Sequence, residues 1–105
     1  MEEIKRILRD FNEARDWEKF HTPENLAKSV AIEAGELLEC FQWGSEADRS
    51  KVSDEIADVM SYCIMLADKL DLNLKEVILR KIKKNEEKYP VEKCRGISKK
   101  YNELP

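Results

Sequence analysis

Four acidic side chains form two pairs with helical spacing. Glu33 and Glu36 make an E-x-x-E pair, and Glu55 and Asp58 make an E-x-x-D pair after an 18-residue spacer. Side chains three positions apart share a helix face, so an antiparallel pair of such helices could bring all four carboxylates together. Converging carboxylates repel one another and are costly to desolvate unless a cation compensates. The pattern therefore indicates a metal site, and the alternative is a set of acids that only solvate helix borders.

The ligand types in this cluster favour particular ions. All four side chains offer carboxylate oxygens, without histidine or thiolate, and such a donor set suits Mg²⁺ or Mn²⁺ better than zinc. Mg²⁺ keeps several waters and often takes phosphate oxygens of the substrate as further ligands. The expected cofactor is thus Mg²⁺, with Mn²⁺ as the alternative, and the expected substrate is a phosphate ester.

Flat side chains lie near both ends of the segment that carries the first acidic pair. They are Trp17, Phe20, His21, Phe41 and Trp43. Rings of this kind could sandwich a nucleobase, or they could simply anchor a hydrophobic core.

A polar pair interrupts the last strongly periodic segment. Lys81 and Asn85 fall at the centre of an otherwise apolar helical arc. The lysine could meet phosphate oxygens or a carboxylate of the cluster, and the asparagine could offer a donor and an acceptor to a base or a sugar hydroxyl. The alternative is a lysine that extends to solvent and an asparagine satisfied by the backbone.

Charge is distributed unevenly along the chain, whose formal net charge is -3. Residues 1–79 hold 10 basic and 18 acidic side chains, whereas residues 80–105 hold 9 basic and 4 acidic ones. Arg95, Lys99, Lys100 and Tyr101 could hold the outer phosphates of a nucleotide or form a solvated tail. Because the basic part is short, nucleic acid is not expected as the main partner.

The elements that position these residues are predicted to be helices. With 42% hydrophobic and 39% charged residues but only three glycines and three prolines, the 105-residue chain reads as one all-α domain, 1–105. Periodicity and caps predict helices over about 3–15, 23–42, 47–70 and 73–89, followed by an irregular basic tail. Short connections imply an antiparallel four-helix bundle, and a dimer or tetramer would complete so thin a core.

Other classes of protein fit the sequence poorly. The start of the chain has no apolar signal region and no segment approaches the roughly 20 apolar residues of a membrane span, so a cytoplasmic protein without a membrane partner is expected. Cys40, Cys63 and Cys94 suit neither a disulfide framework nor a zinc knuckle. There is no P-loop, GxGxxG or HExxH, and the only histidine, His21, cannot supply the Glu-x-x-His pairs of a di-iron bundle.

Several motifs in order carry a family resemblance. Around the two acidic pairs stand RDWEKFHTPENLAKS from Arg15, ELLECFQW from Glu36, KIKKNEEKYP from Lys81 and SKKYNELP from Ser98. Over residues 4–105 the chain resembles the MazG-like nucleoside triphosphate pyrophosphohydrolases of the all-α NTP pyrophosphatase superfamily, most closely the dCTP pyrophosphatase branch. Two positions depart from the family pattern. Ile32 stands where many members have a second acid, and Leu8 stands where eukaryotic dCTP enzymes have a histidine.

The resemblance implies roles for individual residues. Glu33, Glu36, Glu55 and Asp58 would be the Mg²⁺ ligands and catalytic residues, Trp17 and Trp43 would line the base pocket, and Tyr62, Lys81 and Asn85 would contact substrate. His21 and the basic tail residues Arg95, Lys99, Lys100 and Tyr101 are added to the expected substrate-binding set. We expect Glu36 to double as general base, because it lies furthest from the apolar arc of its helix.

The implied reaction is hydrolysis of a nucleoside triphosphate between its α- and β-phosphates, with dCTP or a modified dCTP as the expected substrate and cleansing of the nucleotide pool as the role. The implied assembly is a homotetramer arranged as a dimer of dimers. Two alternatives stay open, a non-catalytic helical binding or regulatory module and the same chemistry on another nucleotide.

Overall fold

Helices are the regular secondary structure of the residues that the structure describes. A computed structural model describes residues 1–104 and has no β-strand in that range. The helices are α1 (Glu2–Ala14), α2 (Pro23–Glu39), α3 (Arg49–Lys69), α4 (Leu74–Lys88) and α5 (Val91–Cys94), with 3₁₀ turns at Glu18–Phe20 and Tyr101–Glu103. The all-α prediction is confirmed. The chain divides into two compact units, Met1–Leu72 and a second that begins at Asn73.

Three helices begin where polar caps predict. The Thr22 hydroxyl oxygen accepts a hydrogen bond from the Asn25 N–H at 3.2 Å at the start of α2. Asp48 and Asn73 do the same for α3 and α4, accepting from backbone N–H groups at 2.9 and 3.1 Å. Each cap satisfies a backbone donor that the first helical turn leaves free.

Two predicted boundaries move. Helix α2 ends at Glu39 instead of 42, because the backbone tightens into successive i to i−3 hydrogen bonds from Cys40 onward and leaves the turn at Gly44 with φ of 145°. The tail predicted as irregular contains α5 and the second 3₁₀ turn. Pro90 ends α4 because it has no N–H to donate, yet its carbonyl accepts from the N–H groups of Lys93 and Cys94 at 3.0 Å and starts α5.

Helices α2 and α3 form an antiparallel hairpin. Glu33 in α2 lies near Glu55 and Asp58 in α3, whereas His21, just before α2, lies near Tyr62, further along α3. Leu26 of α2 is completely buried, and Ile64 and Ala67 of α3 are buried as well. These side chains are the core of the hairpin, and they hold the two acidic pairs opposite each other.

Helix α1 packs on α3 through the edge of its apolar stripe. The predicted stripe is Ile4, Ile7, Leu8 and Phe11. Leu8 is half-buried and Asn12 is 2% exposed, but the other three stripe residues are exposed. Arg9 lies on the side of α1 that faces α3 and donates two hydrogen bonds to Asp68, the one from Nε at 2.7 Å.

The single chain leaves many large apolar side chains uncovered. Leu38 of α2 is 73% exposed, and Ile32 on α2 and Ile56 on α3 are also exposed. Cys40, Cys63 and Cys94 are free thiols in the structure. None of the helices within residues 1–104 is long and apolar enough to cross a membrane.

Candidate metal centre and nucleotide pocket

Three carboxylates from the two helices of the hairpin meet at one point. Glu33, Glu55 and Asp58 each place a carboxylate oxygen within 4.8 Å of the others. Glu33 and Glu55 are half-buried and Asp58 is exposed. The convergence expected from the E-x-x-E and E-x-x-D spacing is therefore present for three of the four acids.

The fourth acid, Glu36, lies at the edge of this cluster. It is exposed and does not belong to the group of oxygens within 4.8 Å. Its carboxylate nevertheless interacts with Glu33 and Glu55 and helps to raise the pKa of both. Glu36 thus has access to solvent and to the buried acids at the same time.

The cluster is short of positive charge. Partial burial, and then the neighbouring acids Glu36, Glu55 and Asp58, raise the pKa of Glu33 to about 7. Burial also raises the pKa of Glu55, although a hydrogen bond with Glu33 works in the opposite direction. Within residues 1–104, no lysine or arginine forms an ion pair with any of the four acids.

Two buried oxygen atoms of the cluster have no hydrogen-bond partner in the part of the chain that the structure describes. They are Oε2 of Glu33 and Oε2 of Glu55. A buried carboxylate oxygen is costly to leave without a partner. An all-oxygen set with free lone pairs on two facing helices fits a hard divalent cation, so these residues can accommodate Mg²⁺ or Mn²⁺.

An open cavity of about 500 Å³ adjoins the cluster on the side of the α2–α3 loop. Glu36 and Glu55 line it together with loop and helix-start residues that include Glu46, Asp48 and Lys51. The cavity gives solvent a route to two of the cluster's acids.

A second cavity of about 320 Å³ lies between α1, the start of α2 and the second half of α3. Its lining includes Leu8, Asn12, His21 and Met65. His21, a predicted substrate contact, is half-buried, and its Nδ1 has no hydrogen-bond partner within residues 1–104. Its ring meets Tyr62 edge-on with centroids 6.5 Å apart.

Sequence reasoning missed Asn12 in this second cavity. Asn12 follows Leu8 by one helical turn and is the only buried polar residue within residues 1–104. The signal was present, since a polar residue at that spacing sits on the face that Leu8 buries. Periodicity did not reveal Asn12, because Ile4, Ile7 and Phe11 lie on one side of Leu8 along the helix surface and Asn12 lies on the other.

The two predicted base-pocket tryptophans lie in different surroundings. Trp17 is partly exposed, and its ring meets Phe11 edge-on with centroids 5.7 Å apart. Trp43, in the turn after α2, is 93% exposed. Neither ring is buried as a core anchor.

The remaining predicted substrate residues belong to the second unit. Lys81 and Asn85 are exposed on α4, and their predicted contacts with substrate stay predictions. Arg95, Lys99, Lys100 and Tyr101 are also exposed.

The ring of Tyr101 is held by its own unit. It meets Tyr89 edge-on with centroids 6.4 Å apart, and the ammonium group of Lys88 lies 5.1 Å from its centroid. These contacts order the 3₁₀ turn in the tail.

Comparison with known proteins places the chain in a family. A model of the MazG-like family matches residues 28–104. The dCTP pyrophosphatase 1 proteins of Rattus norvegicus and Homo sapiens are each 36% identical over 115 aligned positions, which cover 100% of this chain and 68% of theirs. A crystal structure of a pyrophosphatase from Archaeoglobus fulgidus superimposes with a TM-score of 0.80 at 46% identity, covering 86% of this chain and 92% of that one. The chain therefore belongs to the MazG-like family and is a nucleoside triphosphate pyrophosphohydrolase.

Proposed function

We propose that the protein hydrolyses dCTP, or a modified dCTP, between the α- and β-phosphates in a Mg²⁺-dependent reaction. The products are the nucleoside monophosphate and pyrophosphate. The observation that carries the proposal is the meeting of Glu33, Glu55 and Asp58 within 4.8 Å, with two buried oxygen atoms that lack partners. The relatives named dCTP pyrophosphatase 1 support the choice of substrate.

The three convergent acids are the proposed metal ligands, with Glu36 completing the set from the exposed edge. Mn²⁺ could replace Mg²⁺, because both accept carboxylate oxygens. A divalent ion held there supplies positive charge to the phosphate oxygens of the substrate. In its absence, the protein relieves repulsion by holding a proton on Glu33, whose raised pKa allows this near neutral pH.

Glu36 is the proposed general base. Hydrolysis adds one water across the bridge between the α- and β-phosphates. The hydroxyl goes to one phosphorus and the bridging oxygen leaves with the other, so one proton must be accepted. Glu36 is exposed to the 500 Å³ cavity and adjoins Glu33 and Glu55, a position from which its carboxylate can take that proton.

Further side chains are proposed as substrate contacts. In the first unit they are Trp17, His21, Trp43 and Tyr62, and in the second unit Lys81, Asn85, Arg95, Lys99, Lys100 and Tyr101. The resemblance to the family supports Trp17, Trp43, Tyr62, Lys81 and Asn85, whereas the tail residues are proposed because their charges and ring suit the outer phosphates of a nucleotide. The half-buried ring pair of His21 and Tyr62 adds support in the first unit, because Tyr62 lies one helical turn after the metal-binding candidate Asp58.

We also propose the cellular setting and assembly. Removal of surplus or modified dCTP from the nucleotide pool fits a cytoplasmic enzyme that acts on free nucleotides, with no nucleic acid or membrane as partner. A homotetramer, built as a dimer of dimers, would cover apolar side chains such as Leu38, Ile56 and Ile82, which are exposed in one chain. Residues 1–105 are proposed to act as one functional domain.

The test is pyrophosphate release from the eight common NTPs and dNTPs and from 5-methyl-dCTP, with Mg²⁺ or with EDTA. We expect release that depends on Mg²⁺ and is fastest on a cytosine deoxynucleotide. Glu55→Gln should abolish it, whereas Glu24→Gln, an exposed acid at the start of α2 outside the cluster, should not. Faster pyrophosphate release from a nucleotide with another base would keep the reaction and change the proposed substrate. No release from any nucleotide would favour the alternative of a non-catalytic binding module.

A further inference from the structure

The cavity between α1 and α3 is lined by a buried polar side chain, Asn12, that the proposed reaction does not use. Its volume of about 320 Å³ is at the small end of ligand pockets, which typically span roughly 300–1,000 Å³. Leu8, Leu26 and Ile64 form apolar parts of its lining. A flat ring with polar edges is the kind of ligand that such a lining can hold.

Asn12, which lines this cavity, has one side-chain amide oxygen without a hydrogen-bond partner within residues 1–104. The residue is only 2% exposed, and its Oδ1 is buried without a hydrogen-bond partner within residues 1–104. Its Nδ2 donates to the sulfur of Met65 at 3.5 Å, and a thioether is a weak acceptor. If the side-chain amide were flipped by 180°, Oδ1 would face the sulfur of Met65 and two acceptors would meet. The atom of Asn12 that lacks a partner is therefore its oxygen, which can accept a hydrogen bond.

Several charged side chains around the cavity are already paired. Arg9 donates to Asp68, and Lys69 donates to Glu18 at 2.7 Å. Glu13 also lines the cavity and forms no ion pair within residues 1–104. The buried side-chain atoms without a partner among the lining residues are Oδ1 of Asn12 and Nδ1 of His21, an amide oxygen and a ring nitrogen, and hydrogen bonds are the contacts that they offer a ligand.

Helix α3 connects this cavity with the carboxylate cluster. Asp58, Tyr62 and Met65 follow one another at helical spacing and lie on one face. The seven residues from Asp58 to Met65 correspond to about 10 Å along the helix. A sugar and a phosphate can span that distance, so a nucleotide with its phosphates at Asp58 could place its base beside Asn12.

We infer that Asn12 selects the base, by accepting a hydrogen bond from the exocyclic amino group of an aminopyrimidine bound in this cavity. The inference rests on the proposed function and adds to it a residue that decides specificity. Cytosine offers an N–H donor at the position where uracil and thymine offer a carbonyl oxygen. Because Oδ1 is free and Nδ2 is directed at Met65, the carbonyl oxygen of uracil or thymine would face Oδ1, and neither acceptor would have a donor. Burying two acceptors without a donor is costly, so the site should bind cytosine much more tightly than uracil or thymine.

The first test compares dCTP with dUTP on the wild-type protein and on Asn12→Leu. Leucine is close in size and removes an unsatisfied polar group, so the variant should fold with an unchanged or higher melting temperature. We expect kcat/KM for dCTP to fall at least tenfold while that for dUTP stays within about threefold. Asp10→Asn, an exposed change on α1, should leave the ratio as in the wild type.

The second test needs no variant and no hydrolysis. Binding of dCMP, dUMP and N4,N4-dimethyl-dCMP to the wild-type protein is measured by calorimetry in EDTA. Dimethylation removes both N–H donors but keeps the ring acceptor, so binding should weaken at least tenfold relative to dCMP and resemble that of dUMP. Asn12→Leu should narrow the gap between dCMP and dUMP to less than threefold.

Two results would overturn the inference while leaving the proposed function intact. One is an unchanged preference for dCTP over dUTP in folded Asn12→Leu that still releases pyrophosphate. The other is equal binding of dCMP and its dimethyl derivative. A wild-type protein that releases no pyrophosphate from any nucleotide would instead contradict the proposed function.

Discussion

Glu33 of α2 and Glu55 of α3 face each other across the hairpin, each with one buried carboxylate oxygen that has no hydrogen-bond partner within residues 1–104. Their position costs the metal-free protein stability, since neither burial nor repulsion is compensated by a basic side chain. The arrangement is understandable in a protein that binds a cation between these helices.

Stability of the metal-free protein should fall as pH rises through the range in which Glu33 titrates. The pKa of Glu33 is about 7 in the folded chain, above the ordinary glutamate value of 4.5, so the folded state holds this proton more tightly than the unfolded state. The resulting stabilisation is complete below about pH 4.5 and is lost as pH rises through about 7. Melting temperatures in EDTA from pH 5 to 8 measure it.

Two comparisons isolate the contribution of Glu33. Glu33→Gln should flatten the fall between pH 5 and 8, because glutamine does not titrate. Added Mg²⁺ should raise the melting temperature more at pH 8 than at pH 5, since the ion competes with the proton. A metal-free profile identical in wild type and Glu33→Gln would contradict the assignment.

The Arg9–Asp68 pair should anchor α1 on α3, and its contribution to the free energy of unfolding should be lost at low pH. Arg9 lowers the pKa of Asp68, so the stabilisation is present above the ordinary range of a carboxylate and is lost as pH falls through the lowered pKa. Asp68→Asn should cost about 1 kcal/mol at pH 7, because the pair is partly exposed. Urea denaturation measures it, and a double-mutant cycle with Arg9→Leu that shows no coupling would contradict the role.

The hairpin core should depend on Leu26. This side chain has 0% exposure, and Leu26→Ala should cost about 3 kcal/mol through lost burial and the cavity left behind. The free energy of unfolding from denaturant titration is the measurement. A loss below about 1 kcal/mol would mean that the site collapses around the smaller side chain or that Leu26 is not central to the core.

Association should bury Leu38, which is 73% exposed in one chain. Leu38→Glu should shift sedimentation from the expected tetramer toward smaller species, because a charge would be desolvated in the interface. Lys28→Glu, a charge change at an exposed polar position of the same helix, is the control. A wild-type protein that sediments as a monomer at micromolar concentration would contradict the proposed assembly.

Local sequence patterns predicted the parts of the fold that local physics determines. Thr22, Asp48 and Asn73 start their helices because their side chains accept backbone hydrogen bonds within three residues. The meeting of Glu33 with Glu55 and Asp58 follows from helical spacing once two helices form a hairpin.

Features that depend on distant contacts were not predicted. Helix α1 buries Asn12 and pairs Arg9 with Asp68, a residue 59 positions away. Periodicity within α1 alone points Ile4, Ile7 and Phe11 inward instead.

The most direct test of the account is Mg²⁺ binding measured together with pyrophosphate release from dCTP, in wild type, Glu55→Gln and Glu24→Gln. We predict that wild type and Glu24→Gln bind Mg²⁺ and release pyrophosphate, that EDTA stops the reaction, and that Glu55→Gln folds but does neither. A folded Glu55→Gln variant that binds Mg²⁺ and releases pyrophosphate at the wild-type rate would contradict the carboxylate cluster as the catalytic metal site.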